Sequence, residues 1–192
     1  MKQEVYFKNI QSKIVELLER AEFDIKIAVA WFTDEKIIRV LNKKKKNGVN
    51  IEVVIYNDKI NKADLYFELV KSEVNFYKSS KLMHNKFCVI DEEIVINGSY
   101  NWTNNATSNN ENITVLYSFD LVTNFLEEFN KITTSKFISK LKLSDYSKSN
   151  SYEFQADEII SKYQFPFFFK RNDEIKFIRN KNDILYFFDR VK

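Results

Sequence analysis

Histidine, cysteine and proline each occur once in these 192 residues, as His84, Cys88 and Pro166, and glycine occurs twice, as Gly48 and Gly98. A single cysteine excludes an intrachain disulfide and fits a reducing compartment. Cys88 lies in an apolar run, Phe87 to Ile90, where it reads as a small core hydrophobe. No run approaches the roughly 18 apolar residues of a membrane span. Met1 to Lys8 lacks the apolar core of a signal peptide, so a cytoplasmic location and no stable membrane association are expected. No residues stand at metal-ligand spacing, so neither a metal nor a cofactor is expected. What is abundant is apolar and charged side chain, 44% and 30%, with 16% aromatic, which describes a globular chain with a real core. The net charge of +3 and pI near 8.7 permit a nucleic-acid partner without requiring one.

Periodicity indicates alternating helices and strands. Ile10, Ile14, Leu17, Leu18 and Ala21 recur at helical spacing, and Phe23 to Phe32 reads as a buried strand. Thr33 or Asp34 caps a helix running to Lys46, which Asn47-Gly48 ends. A strand over Val49 to Tyr56, a helix over Ala63 to Lys71 and a short strand over Val74 to Tyr77 follow. Lys86 to Asp91 and Ile94 to Asn97 read as strands joined by an acidic turn, Asn112 to Ser118 as extended, and Leu121 to Phe137 as a helix. The pattern predicts an α/β layered domain with a mixed sheet over residues 1–140, a polar linker over 141–151 and an appendage over 152–192. In the appendage, Ile175 to Ile178 is expected to pair with Ile184 to Phe188 as a hairpin. The aromatic run Phe165, Phe167, Phe168 and Phe169 reads as packing on the domain or on a partner copy, with docking on lipid as the other reading.

The chemistry concentrates in one string, His84-x-Lys86-x4-Asp91-x6-Gly98-Ser99-x-Asn101. On an extended backbone His84 and Lys86 project from one face, so an imidazole and an ammonium can address one phosphorus. Cleaving a phosphodiester without a metal takes a nucleophile, charge stabilisation, a proton for the leaving oxygen and a group that orients the nucleophile. His84 suits the first role, Lys86 and Asn101 the second, and Ser99 offers a further hydrogen bond. Asp91 lies seven residues from His84, so strand parity turns it to the opposite face, which suits a structural carboxylate bonding nearby backbone.

This string resembles the HKD signature of the phospholipase D superfamily, and the resemblance extends over about Ile10 to Lys131, including Ile27 to Asp34 and Asn47 to Val54. It implies a phospholipase D-like α/β/α sandwich and phosphodiester cleavage through a phosphohistidine. In the single-motif nucleases of that superfamily a glutamate at about the offset of Glu111 pairs with the histidine, which implies that Glu111 orients His84. The mechanism uses two histidines and this chain has one. The resemblance therefore implies a homodimer that brings two copies of His84 across a shared cleft.

The reading that results is a metal-independent phosphodiesterase, an endonuclease acting on DNA or RNA. Small size with a single motif, mild basic charge and the lack of a membrane anchor favour nucleic acid. The alternatives are a phospholipase or cardiolipin hydrolase using the same site, and a non-catalytic phosphate-binding module. A pure binder does not need a nucleophile together with its orienting group. Trp102 is open to base stacking or core packing, and Lys43-Lys44-Lys45-Lys46 to phosphate contact or a solvated helix terminus.

Overall fold

The computed structural model describes residues 2–146 and the backbone of 167–171 and 174–178. Two compact units result, Met1–Leu143 and Ser144–Lys192. In the first, strands β1 (Lys2–Tyr6), β2 (Asp24–Val29), β3 (Asn50–Tyr56), β4 (Asn75–Ser79), β5 (Lys86–Ile90), β6 (Ile94–Gly98), β7 (Ile113–Tyr117) and β8 (Ile138–Lys140) form one sheet in the order β1-β7-β6-β5-β2-β3-β4-β8. Its β2-β3-β4 part is parallel and every other pairing antiparallel, so the sheet is mixed, as the sequence predicts.

Four helices cover it: α1 (Ile10–Arg20), α2 (Glu35–Lys46), α3 (Phe67–Lys71) and α4 (Phe119–Thr133). Val122 and Phe129 of α4 pack on Ala28, Val54, Phe87, Val89 and Val95. Alternation turns Ile27, Val53 and Ile55 to the other face, where they are fully buried. On that side α1 packs on α2, and α2 on α3 and β3. The apolar stripe of α1 is Ile10, Ile14, Leu17 and Leu18. Asp34, fully buried, caps α2 by accepting the N–H groups of Lys36 and Ile37 at 3.0 and 3.2 Å. Lys43 to Lys46 form the last turn of α2, where their charge opposes the negative end of the helix, and Lys44 Nζ donates to Ala21 O at 2.9 Å.

Some boundaries depart from expectation. The segment Ala63 to Lys71 is a 3₁₀ turn followed by the short α3. The helix α4 stops at Thr133 instead of reaching Phe137. There the hydroxyls of Thr133 and Thr134 donate back to Phe129 O and Asn130 O at 3.0 and 2.7 Å, competing with the helical ladder. The chain then reverses into β8, which caps the edge of β4. Neither edge strand, β1 or β8, stands out in the sequence, because each is short and carries little buried apolar surface. In the second unit Glu174–Ile178 pairs antiparallel with Phe167–Arg171, whereas the expected partner, Ile184 to Phe188, lies outside the described residues.

Candidate active site

Register brings the candidate residues together at one end of the sheet. Val29 of β2 faces Lys86 of β5, Phe87 faces Asn97 of β6, and Gly98 faces Ile113 of β7. Continuing past each strand end leads to Trp31, His84, Ser99 to Asn101, and Glu111. This is the carboxyl end of the parallel strands β2 and β3, the usual location of sites in open α/β sheets. His84 lies in the loop before β5 and not on the strand itself, and Ala30 N donating to Asn85 O at 3.0 Å ties that loop to β2.

Gly98 permits the tightest approach here. A Cβ at this position would stand 2.1 Å from Asn112 O and 2.8 Å from Ile113 Cα, so only glycine lets β6 and β7 close on each other. Ser99 N then donates to Asn112 O, and Asn112 N to Ser99 Oγ, both at 3.1 Å. The Ser99 hydroxyl donates to Glu111 Oε2, and Asn109 Nδ2 donates to Oε1 at 3.3 Å. Among the described residues no hydrogen bond joins Glu111 to His84, and the donors to its carboxylate are Ser99 and Asn109.

The His84 ring, exposed to solvent, has no hydrogen-bond partner among the described residues. Its neighbour is Trp31, which meets it edge-to-face with ring centroids 5.5 Å apart at 81°. Lys86 Nζ donates to His84 O at 2.7 Å and lies 5.8 Å from the centroid of the same indole. Burial lowers the pKa of the Lys86 ammonium below the ordinary lysine value, and the charge of Glu111 acts in the opposite sense. Tyr100 is fully enclosed beside the site, and burial, then Asp34 and Glu111, push its hydroxyl up to about 12. Trp31 Nε1, Tyr100 OH and Asn101 Oδ1 are buried without hydrogen-bond partners among the described residues.

Trp31 is the site residue that motif spacing does not reveal. Its signal is positional, two residues beyond the end of β2. Asn61 is also absent from the motif, yet its buried amide accepts from Phe32 N at 2.8 Å and donates to Ala30 O and Tyr56 O at 2.6 and 2.7 Å, fixing the ends of β2 and β3. Trp102 belongs to the core. It is 2% exposed, packs edge-to-face on Phe32, and its carbonyl accepts the N–H groups of Thr33 and Asp34 at 2.8 and 2.9 Å.

Asp91 stands apart, at the far end of β5, about 16 Å from Lys86 at the usual strand rise. Its carboxylate accepts the N–H groups of Glu22, Phe23 and Asp24 at 2.8, 2.8 and 2.9 Å, pinning the α1–β2 turn. Asp91→Ala should therefore lower stability by about 1–3 kcal/mol in denaturant unfolding, nearer the lower figure because water reaches part of the turn. Turnover per folded molecule should stay within about twofold of wild type; a large loss there would place Asp91 in the site after all.

A cleft of about 390 Å³ opens beside His84, between the β4–β5 loop and α4, with Lys81, Leu82, Asn85, Lys131 and Phe137 along it. Among the described residues no three His, Cys, Asp or Glu side chains converge as a metal site, and no helix is long and apolar enough to cross a membrane.

Residues 14–133 match the family model described as "Cardiolipin synthase, PLD-like domain". The mitochondrial cardiolipin hydrolase of Chlamydomonas reinhardtii is 33% identical over 125 residues, covering 63% of this chain and 56% of that protein. The Mus musculus protein of the same name is 27% identical over 132 residues, covering 63% and 57%. The chain thus spans little more than half the length of these curated relatives. Among solved structures, the phospholipase D family member Nuc of Salmonella typhimurium superposes with a TM-score of 0.67 at 22% identity, covering 73% of this chain and 98% of Nuc. NucT from Helicobacter pylori gives 0.64 at 18% identity, covering 73% and 99%. At these identities the structural likeness establishes the fold.

Proposed function

The chain belongs to the phospholipase D-like family, and on that basis we propose that it is a metal-independent phosphodiesterase, an endonuclease that cleaves DNA or RNA through His84 at a site completed by a second copy of the chain. The observation that carries this reading is the exposed imidazole of His84, without a hydrogen-bond partner among the described residues, beside the half-buried Lys86, at a cleft bearing Lys81 and Lys131. Catalysis belongs to residues 1–140, with 141–151 a linker and 152–192 an appendage, and the cytoplasm is the proposed location.

In the proposed reaction His84 attacks phosphorus, a P–N bond forms, and the P–O bond to the leaving oxygen breaks. That oxygen takes a proton from His84 of the second copy. Water then attacks the phosphohistidine, passes its proton to the second imidazole, and the P–N bond breaks. Lys86 and Asn101 stabilise the nonbridging oxygens, with the Trp31 indole N–H as a further donor. Ser99 and Glu111 brace the loop that carries Asn101, and Glu111 also favours the charged form of Lys86. No metal is needed, because the ammonium and the amide groups supply the charge stabilisation.

The test is cleavage of single- and double-stranded DNA and RNA in excess EDTA, with mass in solution measured by sedimentation. Cleavage by a dimer is expected. Loss of cleavage on chelation, restored by a divalent ion, would overturn the mechanism, and full activity in a monomeric sample would remove the second histidine from it. The names of the curated relatives favour one other reading, a phospholipid phosphodiester as substrate. Release of headgroup from cardiolipin vesicles, with no cleavage of any nucleic acid, would establish that reading instead.

A further inference from the structure

The part of the cleft lining formed by Ser135 and Phe137 lies beyond the residues matched by the family model, which end at 133. It is made by the reversal that follows α4. Ser80 N and Ser80 Oγ both donate to Phe137 O, at 2.9 and 3.1 Å, and Ser79 pairs with Ile138, so the backbone of Phe137 is fixed against β4. Ile138 packs on the core under α4, and alternation turns Phe137 outward, where it remains 40% exposed at the cleft. Two ammonium groups attend its ring: Lys81 Nζ lies 5.7 Å and Lys136 Nζ 5.4 Å from the centroid. Among the lining residues of the cleft, Lys81 and Lys131 are positive and Glu128 is the one negative charge.

We propose that Phe137, flanked by Lys81 and Lys136, is a stacking platform for one unpaired base of a single-stranded nucleic acid whose backbone runs through this cleft to His84. The proposal rests on the nuclease reading above. An exposed aromatic ring between lysines matches the repeat of a polynucleotide, in which a flat base alternates with a phosphate. An ammonium resting on an exposed ring is held weakly, and base–aromatic stacking is stronger. A base therefore displaces the ammonium from the ring, and the freed lysine turns to the adjoining phosphate. A base that is paired and stacked within a duplex cannot lie on Phe137, so the platform selects single strands.

The experiment compares wild type with Phe137→Leu and Phe137→Trp on a labelled single-stranded oligonucleotide in EDTA, and on the same oligonucleotide carrying one abasic residue at successive offsets from the cleaved bond. In wild type, one abasic offset should raise KM by roughly 5- to 100-fold. Phe137→Leu should raise KM on the intact strand by a similar factor and lose sensitivity to that abasic offset, with the loss in KM rather than in kcat. Phe137→Trp should restore both, a rescue that a merely structural role would not produce. Unchanged KM in Phe137→Leu, or duplex cleaved as readily as single strand, would overturn the platform while leaving the nuclease intact. If wild type cleaves no nucleic acid but releases headgroup from cardiolipin vesicles, the nuclease reading falls and the platform falls with it.

Discussion

His84→Ala should lower kcat for phosphodiester cleavage by at least about 10⁴-fold, the scale on which loss of a covalent nucleophile is felt. The expectation is severe because the chain contains no other histidine. The substitution removes an exposed group with no hydrogen-bond partner among the described residues, so the folded state should be kept and thermal unfolding should be nearly unchanged. Loss of activity with retained structure then reports on chemistry. Mixing supplies a sharper form of the experiment. If each cleft needs two copies of His84, a dimer of one wild-type and one substituted chain lacks either nucleophile or acid. Equal amounts of the two chains, unfolded together and refolded, would leave about a quarter of the dimers fully wild type. Activity per wild-type chain should accordingly fall to about half. Activity that instead tracks the number of wild-type chains would show that each subunit works alone, and the two-histidine mechanism would be abandoned.

How much of this was open to sequence reasoning depends on how each feature is encoded. The helices α1 and α2 and the strands β2, β3, β5 and β6 are legible because burial imposes a period on them, and Asp34 and Asn47-Gly48 mark where α2 begins and ends. The mixed sheet follows from their alternation. The edge strands β1 and β8 are not legible, since three to five residues with exposed alternate positions carry no pattern that distinguishes them from loop. The site divides in the same way. His84, Lys86, Ser99 and Asn101 lie within one string, so spacing alone proposes them. Trp31 meets the His84 ring and Phe137 lines the cleft beside it, each from a distant segment, and only strand register and the reversal after α4 bring them there. The partner of Glu111 is a matter of loop geometry. Gly98 lets β6 approach Asn112 closely, and Ser99 beside it donates to the Glu111 carboxylate, a contact that residue spacing does not foretell.

Lys86→Gln should lower kcat by about 10²- to 10³-fold, the cost of removing one preorganised donor from a developing negative charge. The pH profile identifies the group. The ammonium is the form that stabilises the transition state, so activity belongs to pH values below the Lys86 pKa and is lost as pH rises through it. Burial lowers that pKa, which places the alkaline loss of activity below the range of an ordinary lysine. Glu111 acts against burial, so its charge should extend the active range upward. Glu111→Gln removes the charge and keeps one acceptor for the Ser99 hydroxyl, while the position that accepts from Asn109 becomes an amide NH2. Its alkaline limb should move to lower pH, while kcat on the neutral plateau changes less than in Lys86→Gln. Lys86→Arg, charged throughout the accessible range, should lose activity by misplacing its donors but show no alkaline limb from this residue. A limb that stays fixed in Glu111→Gln would mean that the carboxylate does not govern the charge of Lys86. Glu111 would then be a brace for Ser99 alone, and the electrostatic part of its proposed role would be withdrawn.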